Sequence, residues 1–489
     1  MLLDRLLHSM EYCLLCGNTA VEITGICDHS AELKPGDLFV CIKGSRTDGH
    51  RYLKDAYGSG AAGIVVEDIS DELNSLMKRY PDTAVIQVRN TMKALALIAS
   101  AFYGDPARRM TVIGITGTKG KTTTACMLNA ILRRAGIASG TIGTLGVWYD
   151  ELLEEPVTTT PDAITLHRLL AEMEKRGCTH VVLEVSSQSL IRMRVYGIPF
   201  SMAIYTNLYP DHIGTGEHSS YEEYRYWKST LFANAKVSVI NKLADSWEMM
   251  TGMSAGKVIY YGLDDHGNCS QETDFVKTVR SVTGASANAQ LVRMDLSLPG
   301  RYNRENALAA ITAAMVLKVP DEAFIALETV QVPGRTEILE GDGYRVVIDY
   351  AHNESSMENL LITLRELNPR RLICVYGSGG NRSLMRRHGM GRVGGKLADL
   401  SVLTEDNSRT EPLDQILEGL IAGVSSSGGD YLVIPDRKKA IHQVIRQAKE
   451  GDLIAIIGKG HENYQEIGTE RFPFSDREEA RLAMGGFEN

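Results

Sequence analysis

Short apolar runs, each followed by a stretch with helical spacing, recur along most of this chain. Residues 111–116 form an apolar run too short to be a helix; a glycine-rich loop follows, then a helical pattern from Lys121 to Arg134. Strand, loop and helix in that order open a βαβ unit. Comparable runs lie at 180–183 and 202–206, and later at 345–349, 371–376, 400–404 and 452–457. Near-continuous apolar strands alternating with helices imply mostly parallel sheet covered on both faces. Before residue 105, β-rich runs at 37–42, 63–66 and 84–88 alternate with helical stretches in the same way. The predicted class is α/β in three parts: an N-terminal α/β domain over 1–105, a central parallel-sheet domain over 106–332, and a C-terminal Rossmann-like α/β domain over 333–489. Met1 to His8 reads as a short amphipathic helix, because Asp4 and the following Glu11 do not suit a signal peptide.

Length agrees with that division. At roughly 100–200 residues per domain, 489 residues make two to four domains. Apolar residues at 44% and charged residues at 23% exclude disorder, collagen and coiled coil as descriptions of the whole chain. A net charge of −9 (52 basic, 61 acidic) argues against a general nucleic-acid or anionic-membrane binder. No apolar run approaches the roughly 18–20 residues that span a bilayer. The eight scattered cysteines read as reduced, mostly buried thiols of a cytoplasmic protein. The lone Cys13-Leu14-Leu15-Cys16 lacks the second ligand pair a zinc site needs and reads as core.

The loop is the most informative stretch. Gly117-Thr118-Lys119-Gly120-Lys121-Thr122-Thr123 lies between a strand and a helix. Its glycines let backbone N–H groups close around phosphate oxygens; Lys121 reaches the outer phosphates and the Thr122 hydroxyl suits Mg²⁺. The helix N-terminus adds its dipole. A nucleoside triphosphate site follows from these residues alone, although Ile115 stands where the standard pattern has its first glycine.

The same loop resembles that of the Mur ligases, the ATP-dependent amide-forming enzymes of peptidoglycan precursor synthesis. Further motifs resemble theirs in order: Thr158-Thr159-Thr160-Pro161, Glu184-Val185-Ser186-Ser187, Thr206-Asn207-Leu208 with Asp211-His212, Asn303 and Asn306 after Gly300, Pro333-Gly334-Arg335, and Asp349-Tyr350-Ala351-His352. The C-terminal Asp406-Asn407-Ser408-Arg409 and Gly458-Lys459-Gly460-His461-Glu462 are similar to the pocket of the branch that adds the third amino acid.

The resemblance implies an ATP- and Mg²⁺-dependent ligase that adds meso-diaminopimelate to UDP-MurNAc-L-Ala-D-Glu through an acyl phosphate. It assigns ATP binding to Gly117 through Thr123, Asn303, Asn306, Arg335, His352 and Asp436. It assigns metal and catalytic roles to Lys121, Thr122, Glu184, His212 and a carbamylated Lys228. The UDP substrate falls to Ser30, Ser45, Arg46, Thr47, Thr159, Thr160, Ser186 and Arg194, and the amino acid to Arg382, Asp406, Asn407, Ser408, Arg409, Gly458 and Glu462. The implied partners are small molecules, without nucleic acid or membrane insertion, and the implied state is a cytoplasmic monomer.

Each role has a plainer rival: a helix N-cap acid for Glu184, a structural histidine for His212, a helix cap or surface ion pair for Asp436, an Arg409–Glu411 surface pair. The sequence also departs from the family pattern. His29-Ser30-Ala31 replaces Asp-Ser-Arg, Gln188 replaces a histidine, Ser408 replaces a proline, and the loop after His212 is two residues longer. These leave room for L-lysine or another amino acid as substrate, for a ligase recruited to another pathway, or for a nucleotide-binding regulator. The charge logic favours diaminopimelate, because Arg409 can grip a distal carboxylate that lysine lacks.

Overall fold

A computed structural model describes residues 1–44, 47–155, 158–210, 213–214, 218–262, 280–281 and 296–485. By internal contacts the chain divides into two units, one of residues 1–293 with 305–326 and one of residues 294–304 with 327–489.

The first unit holds two sheets. The N-terminal one runs in the order Cys13–Cys16, Ala84–Gln87, Gly63–Val66, Leu38–Val40, Ile26–Cys27, parallel except for the Cys13–Cys16 edge. That edge strand corrects the core reading of the Cys-x-x-Cys: with a neighbour on one side only, Cys13 is exposed and Cys16 half-buried. Among the other described cysteines, Cys27, Cys41, Cys178 and Cys374 are buried, and none of these four forms a disulfide. Met1 to His8 forms the helix Leu3–Leu7, with its leucines 3, 6 and 7 buried.

The central sheet begins at Thr111–Thr116, which pairs in parallel with His180–Glu184 on one side and Met202–Tyr205 on the other. Ser139–Gly143, Val237–Asn241 and Lys257–Tyr261 extend the parallel part; Gly146–Tyr149, Glu151–Glu154 and Arg280–Ser281 add antiparallel edges. Val112, Ile113 and Ile115 are fully buried. Each such side chain contributes roughly 1.5–3 kcal/mol, which explains why the strand reads as a continuous apolar run.

The second unit carries the sheet Glu337–Glu340, Arg345–Asp349, Asp452–Ile457, Arg371–Tyr376, Leu400–Leu403, Tyr431–Val433, parallel except for Glu337–Glu340. A separate hairpin pairs Tyr464–Ile467 with Glu470–Pro473. The Rossmann-like expectation matches this topology. In open α/β sheets ligands gather beyond the carboxyl ends of the parallel strands, where neighbouring strands send their loops apart. The segments 350–352, 377–382, 404–409 and 458–462 all follow such ends.

Candidate active site

The phosphate loop leaves Thr111–Thr116 and enters the helix Lys121–Arg134. Gly120 caps that helix at φ +84°, and a Cβ there would overlap Asn306 Oδ1. A left-handed residue pressed against a side chain is a place for glycine. Lys121 Nζ folds back over the loop, donating to Gly117 O at 2.9 Å and Thr118 O at 3.3 Å. The neighbouring strand end stitches the loop in place: Thr206 Oγ1 donates to Lys119 O at 2.7 Å, and Lys119 N donates to Asn207 Oδ1 at 2.9 Å. Thr118 Oγ1 lies 3.1 Å from the Tyr224 hydroxyl. Asn207 and Tyr224 carried no assigned role in the sequence reading, yet both shape the loop; Asn207 sat inside a quoted motif, which was the available signal.

Glu184 ends the strand beside the loop and is 2% exposed. Its carboxylate accepts from Thr122 Oγ1 at 2.8 Å and from Thr144 N at 2.9 Å. It is therefore not the N-cap acid of the rival reading; Ser186 caps the helix Ser187–Ile191 instead. Thr122 and Glu184 offer adjacent hard oxygen donors, the type Mg²⁺ takes together with phosphates and water. Lys228, 2% exposed, sits on the helix Tyr221–Ser229, donates to Gly117 O at 2.8 Å and lies 4.8 Å from the Tyr224 ring centroid. Lys121, Thr122, Glu184 and Lys228 thus converge on one loop. His212 lies outside the described residues.

On the far side of Glu184, Thr160 Oγ1 donates to Glu184 O at 2.9 Å and accepts from Ser186 N at 3.1 Å. Arg194 Nη1 donates to Thr160 O at 2.6 Å, and Thr159 Oγ1 lies 3.2 Å from Thr144 Oγ1. Burial, and then Arg192, lower the Arg194 pKa from its ordinary value. A cavity of about 150 Å³ is lined here by Gly143, Glu155, Thr158, Asp162 and Arg194 among others. Thr159, Thr160, Ser186 and Arg194 are therefore brought together. Ser30, half-buried, begins a 3₁₀ turn, Thr47 is exposed, and Ser45 and Arg46 lie outside the described residues.

The nucleotide residues assigned beyond the loop are spread over both units. Asn306, of the first unit, accepts from Thr124 Oγ1 at 3.4 Å. In the second unit Asn303 Nδ2 donates to Pro299 O at 2.8 Å, Arg335 lies over the Tyr350 ring at 4.4 Å, and the His352 ring donates from Nδ1 to Tyr350 O at 2.7 Å. Asp349 accepts from Thr336 N at 2.6 Å and Ala351 N at 2.7 Å; burial raises its pKa against the pull of Arg335. Asp436 caps the helix Arg437–Arg446 through Lys439 N at 3.0 Å and pairs with Lys439 Nζ at 3.3 Å. Its carboxylate thus makes the cap and the ion pair of the rival reading.

The amino-acid residues meet at the carboxyl ends of the C-terminal sheet. Asn407 accepts from Lys459 Nζ at 2.9 Å and from Glu466 N at 2.9 Å, and donates to Glu462 Oε2 at 2.9 Å. Lys459 Nζ also donates to that Glu462 oxygen at 3.0 Å. Gly458, at φ +114°, is kept free of a Cβ by the Asp406 carboxylate. Ser408 is buried and Arg382 exposed. Arg409 corrects the surface-pair reading: its Nε donates to Glu466 Oε2 at 3.0 Å, not to Glu411. Glu411 instead pairs with the buried Arg387, whose Nη1 donates to Glu411 Oε1 at 2.7 Å. A left-handed backbone at Arg409 (φ +52°) turns the side chain toward the hairpin. Glu466 and Lys459 were missed in the roles they play here, because Asn407, the partner they share, is 59 and 52 residues distant in sequence.

A phosphate loop on a parallel sheet, joined to a Rossmann-like unit with its own polar pocket, defines a nucleotide-dependent ligase type of architecture. Comparison with known proteins agrees. The Mur ligase family, catalytic domain matches residues 22–103, the Mur ligase middle domain residues 115–314, and the Mur ligase, glutamate ligase domain residues 334–460. A "UDP-N-acetylmuramoyl-L-alanyl-D-glutamate--2,6-diaminopimelate ligase" of Clostridium botulinum is 39% identical over 97% of this chain and 98% of its own. One so named from Aquifex aeolicus is 39% identical over 95% and 94%. A solved structure of a ligase with that name superposes with a TM-score of 0.68 at 26% identity, covering 99% of both chains. The chain belongs to the Mur ligase family.

Proposed function

We propose that this protein is the ligase that joins meso-diaminopimelate to the D-glutamyl carboxylate of UDP-MurNAc-L-Ala-D-Glu, with ATP converted to ADP and phosphate. The observation that carries the reading is the chain of contacts at one strand-end pocket: Arg409 Nε donates to Glu466 Oε2, Glu466 N donates to Asn407 Oδ1, and Asn407 Nδ2 donates to Glu462 Oε2. Diaminopimelate ends in a zwitterion, and a guanidinium beside carboxylates answers both of its charges. L-lysine would leave Arg409 without a substrate partner.

The division of labour we assign is by region: residues 1–105 hold the UDP group, 106–332 the ATP, and 333–489 the amino acid. The reaction brings a carboxylate against the γ-phosphate, so cations must offset their repulsion. Lys121 and the loop N–H groups receive the phosphates at the dipole end of Lys121–Arg134. Mg²⁺, held by Thr122 and Glu184 with His212 and carbamylated Lys228, supplies further charge neutralisation when bound. Arg194, Thr159, Thr160 and Ser186, with Ser30, Ser45, Arg46 and Thr47, hold the UDP-dipeptide. Asn303, Asn306, Arg335, His352 and Asp436 serve the nucleotide. By its family resemblance we place the protein in the cytoplasm as a monomer. Among the described residues no helix is long and apolar enough to cross a membrane.

The test is ADP release with ATP, Mg²⁺ and UDP-MurNAc-L-Ala-D-Glu across an amino-acid panel. Diaminopimelate should stimulate it, and omission of the UDP-dipeptide should abolish it. Stimulation by lysine alone, or by none of the panel, overturns the reading.

A further inference from the structure

The hairpin Tyr464–Ile467/Glu470–Pro473 has no part in the function so far, yet it grips the amino-acid pocket at several points. Arg409 N donates to Glu466 O at 3.0 Å, and Gly468 N donates to Arg409 O at 2.8 Å, which holds Arg409 in its left-handed conformation. The side chains repeat the link: Arg409 Nε donates to Glu466 Oε2, and Nη1 to Gly380 O, each at 3.0 Å. Glu466 is itself fixed by its N–H to Asn407 Oδ1, and Asn407 reaches Glu462. Arg471 approaches the other Glu466 oxygen at 3.8 Å.

A guanidinium has five N–H donors in a rigid fork. Two of the Arg409 donors are taken by Glu466 and Gly380. Its Nη2 has no protein partner among the described residues, and its side chain is 31% exposed. The guanidinium is thus held at Nε and at Nη1, which leaves the Nη2 donors for a ligand.

We propose that Glu466 is a specificity-determining positioning residue. It locks the Arg409 fork so that Nη2 meets a distal carboxylate of the incoming amino acid without first ordering a long side chain. An unlocked arginine would have to give up its rotamer freedom on binding. Glu466 also balances the Arg409 charge, so the pocket favours an amino acid with both charges at its far end over one with a carboxylate alone.

The inference rests on the diaminopimelate reading, and the experiment separates the two. Steady-state ADP release is measured for wild type, Glu466→Ala, Glu466→Asp and Glu466→Gln, with thermal melting as a check on folding. Glu466→Ala should raise KM for diaminopimelate by about tenfold, with kcat and the KM values for ATP and UDP-dipeptide within about twofold. Glu466→Asp keeps the charge but falls one methylene short of Nε, so its KM should also rise. Glu466→Gln keeps an oxygen acceptor and should recover much of the loss. If the alanine variant does not fold, the aspartate variant carries the test. An unchanged KM for diaminopimelate in either folded variant, or a parallel rise in all three KM values, overturns the role of Glu466. A wild type that does not turn over diaminopimelate overturns the functional reading, and this inference falls with it.

Discussion

Thr122 Oγ1 donates to Glu184 Oε2 at 2.8 Å, and Thr144 N donates to the other oxygen of the same carboxylate, Oε1, at 2.9 Å. The phosphate-loop hydroxyl and the strand-end acid are thereby set before any ligand arrives. Preorganised charge at a reacting phosphate accounts for much of catalysis in such sites. Glu184→Gln keeps the shape, with the amide oxygen accepting from Thr144 N and the amide nitrogen donating to the Thr122 hydroxyl, but removes the charge. We expect kcat to fall by about 10²–10³ while the melting temperature stays close to wild type. ADP release and scanning calorimetry check it, and a variant with wild-type kcat would refute the role given to Glu184.

Gly120→Ala tests the loop from another direction. The residue is left-handed at φ +84°, and an added Cβ would displace Asn306, which accepts from Thr124 at 3.4 Å. A left-handed non-glycine residue costs roughly 1–2 kcal/mol. The loop should therefore open or shift, raising KM for ATP by about tenfold or more. The KM for the amino acid should stay within about twofold. Nucleotide titration by calorimetry measures this directly; unaltered ATP affinity would show that the loop tolerates the methyl.

These two sites differ in how far the sequence exposed them. The phosphate loop was readable because its parts are contiguous: strand, glycines, lysine, threonine and helix follow one another over residues 111–134. Glu184 was readable as a polar residue closing an apolar strand, but its tie to Thr144 depends on sheet order. The amino-acid pocket was readable only in its motif residues. Asn407, Lys459, Glu462 and Glu466 meet because Leu400–Leu403 and Asp452–Ile457 flank Arg371–Tyr376 in the same sheet. The Arg409–Glu411 pairing failed for a local reason: nearness in sequence suggested it, and the backbone turn at Arg409 prevents it. The Asp436–Arg437 segment divides similarly, Asp436 serving as a cap while Arg437 turns inward.

Arg437 predicts a stability effect. It and Asp476 are both 0% exposed and paired twice, Nε to Oδ1 and Nη2 to Oδ2, at 2.7 Å each. Arg437 also donates to Ile457 O at 2.9 Å, at the strand end that precedes Gly458. Asp476→Ala leaves a buried guanidinium without its counter-charge, which costs about 3–5 kcal/mol. The urea midpoint of the C-terminal unit should fall accordingly, read by far-UV circular dichroism. A midpoint equal to wild type would mean that water or a rearranged acid replaces Asp476.

His167 predicts how stability responds to acid. It is 0% exposed on the helix Ala163–Lys175, and neither ring nitrogen has a hydrogen-bond partner among the described residues. Burial lowers its pKa from 6.5 to about 4, opposed by a small pull from Asp105. The folded protein therefore resists the proton that the unfolded chain accepts. This contribution is fully present above pH 6.5 and is lost as pH falls toward 4, because below 6.5 the unfolded state binds more protons. Between pH 7 and pH 5 the loss is about 2 kcal/mol. His167→Leu removes both the titration and the unsatisfied ring nitrogens. Its melting temperature at pH 7 should equal or exceed that of wild type, and it should fall less steeply between pH 7 and pH 5. Some acid sensitivity should persist from His461, which burial, with Arg335 and Lys459 nearby, pushes down to about 3. Melting curves of the two proteins at half-unit pH steps decide the matter: identical slopes would show that His167 is hydrated or protonated within the fold.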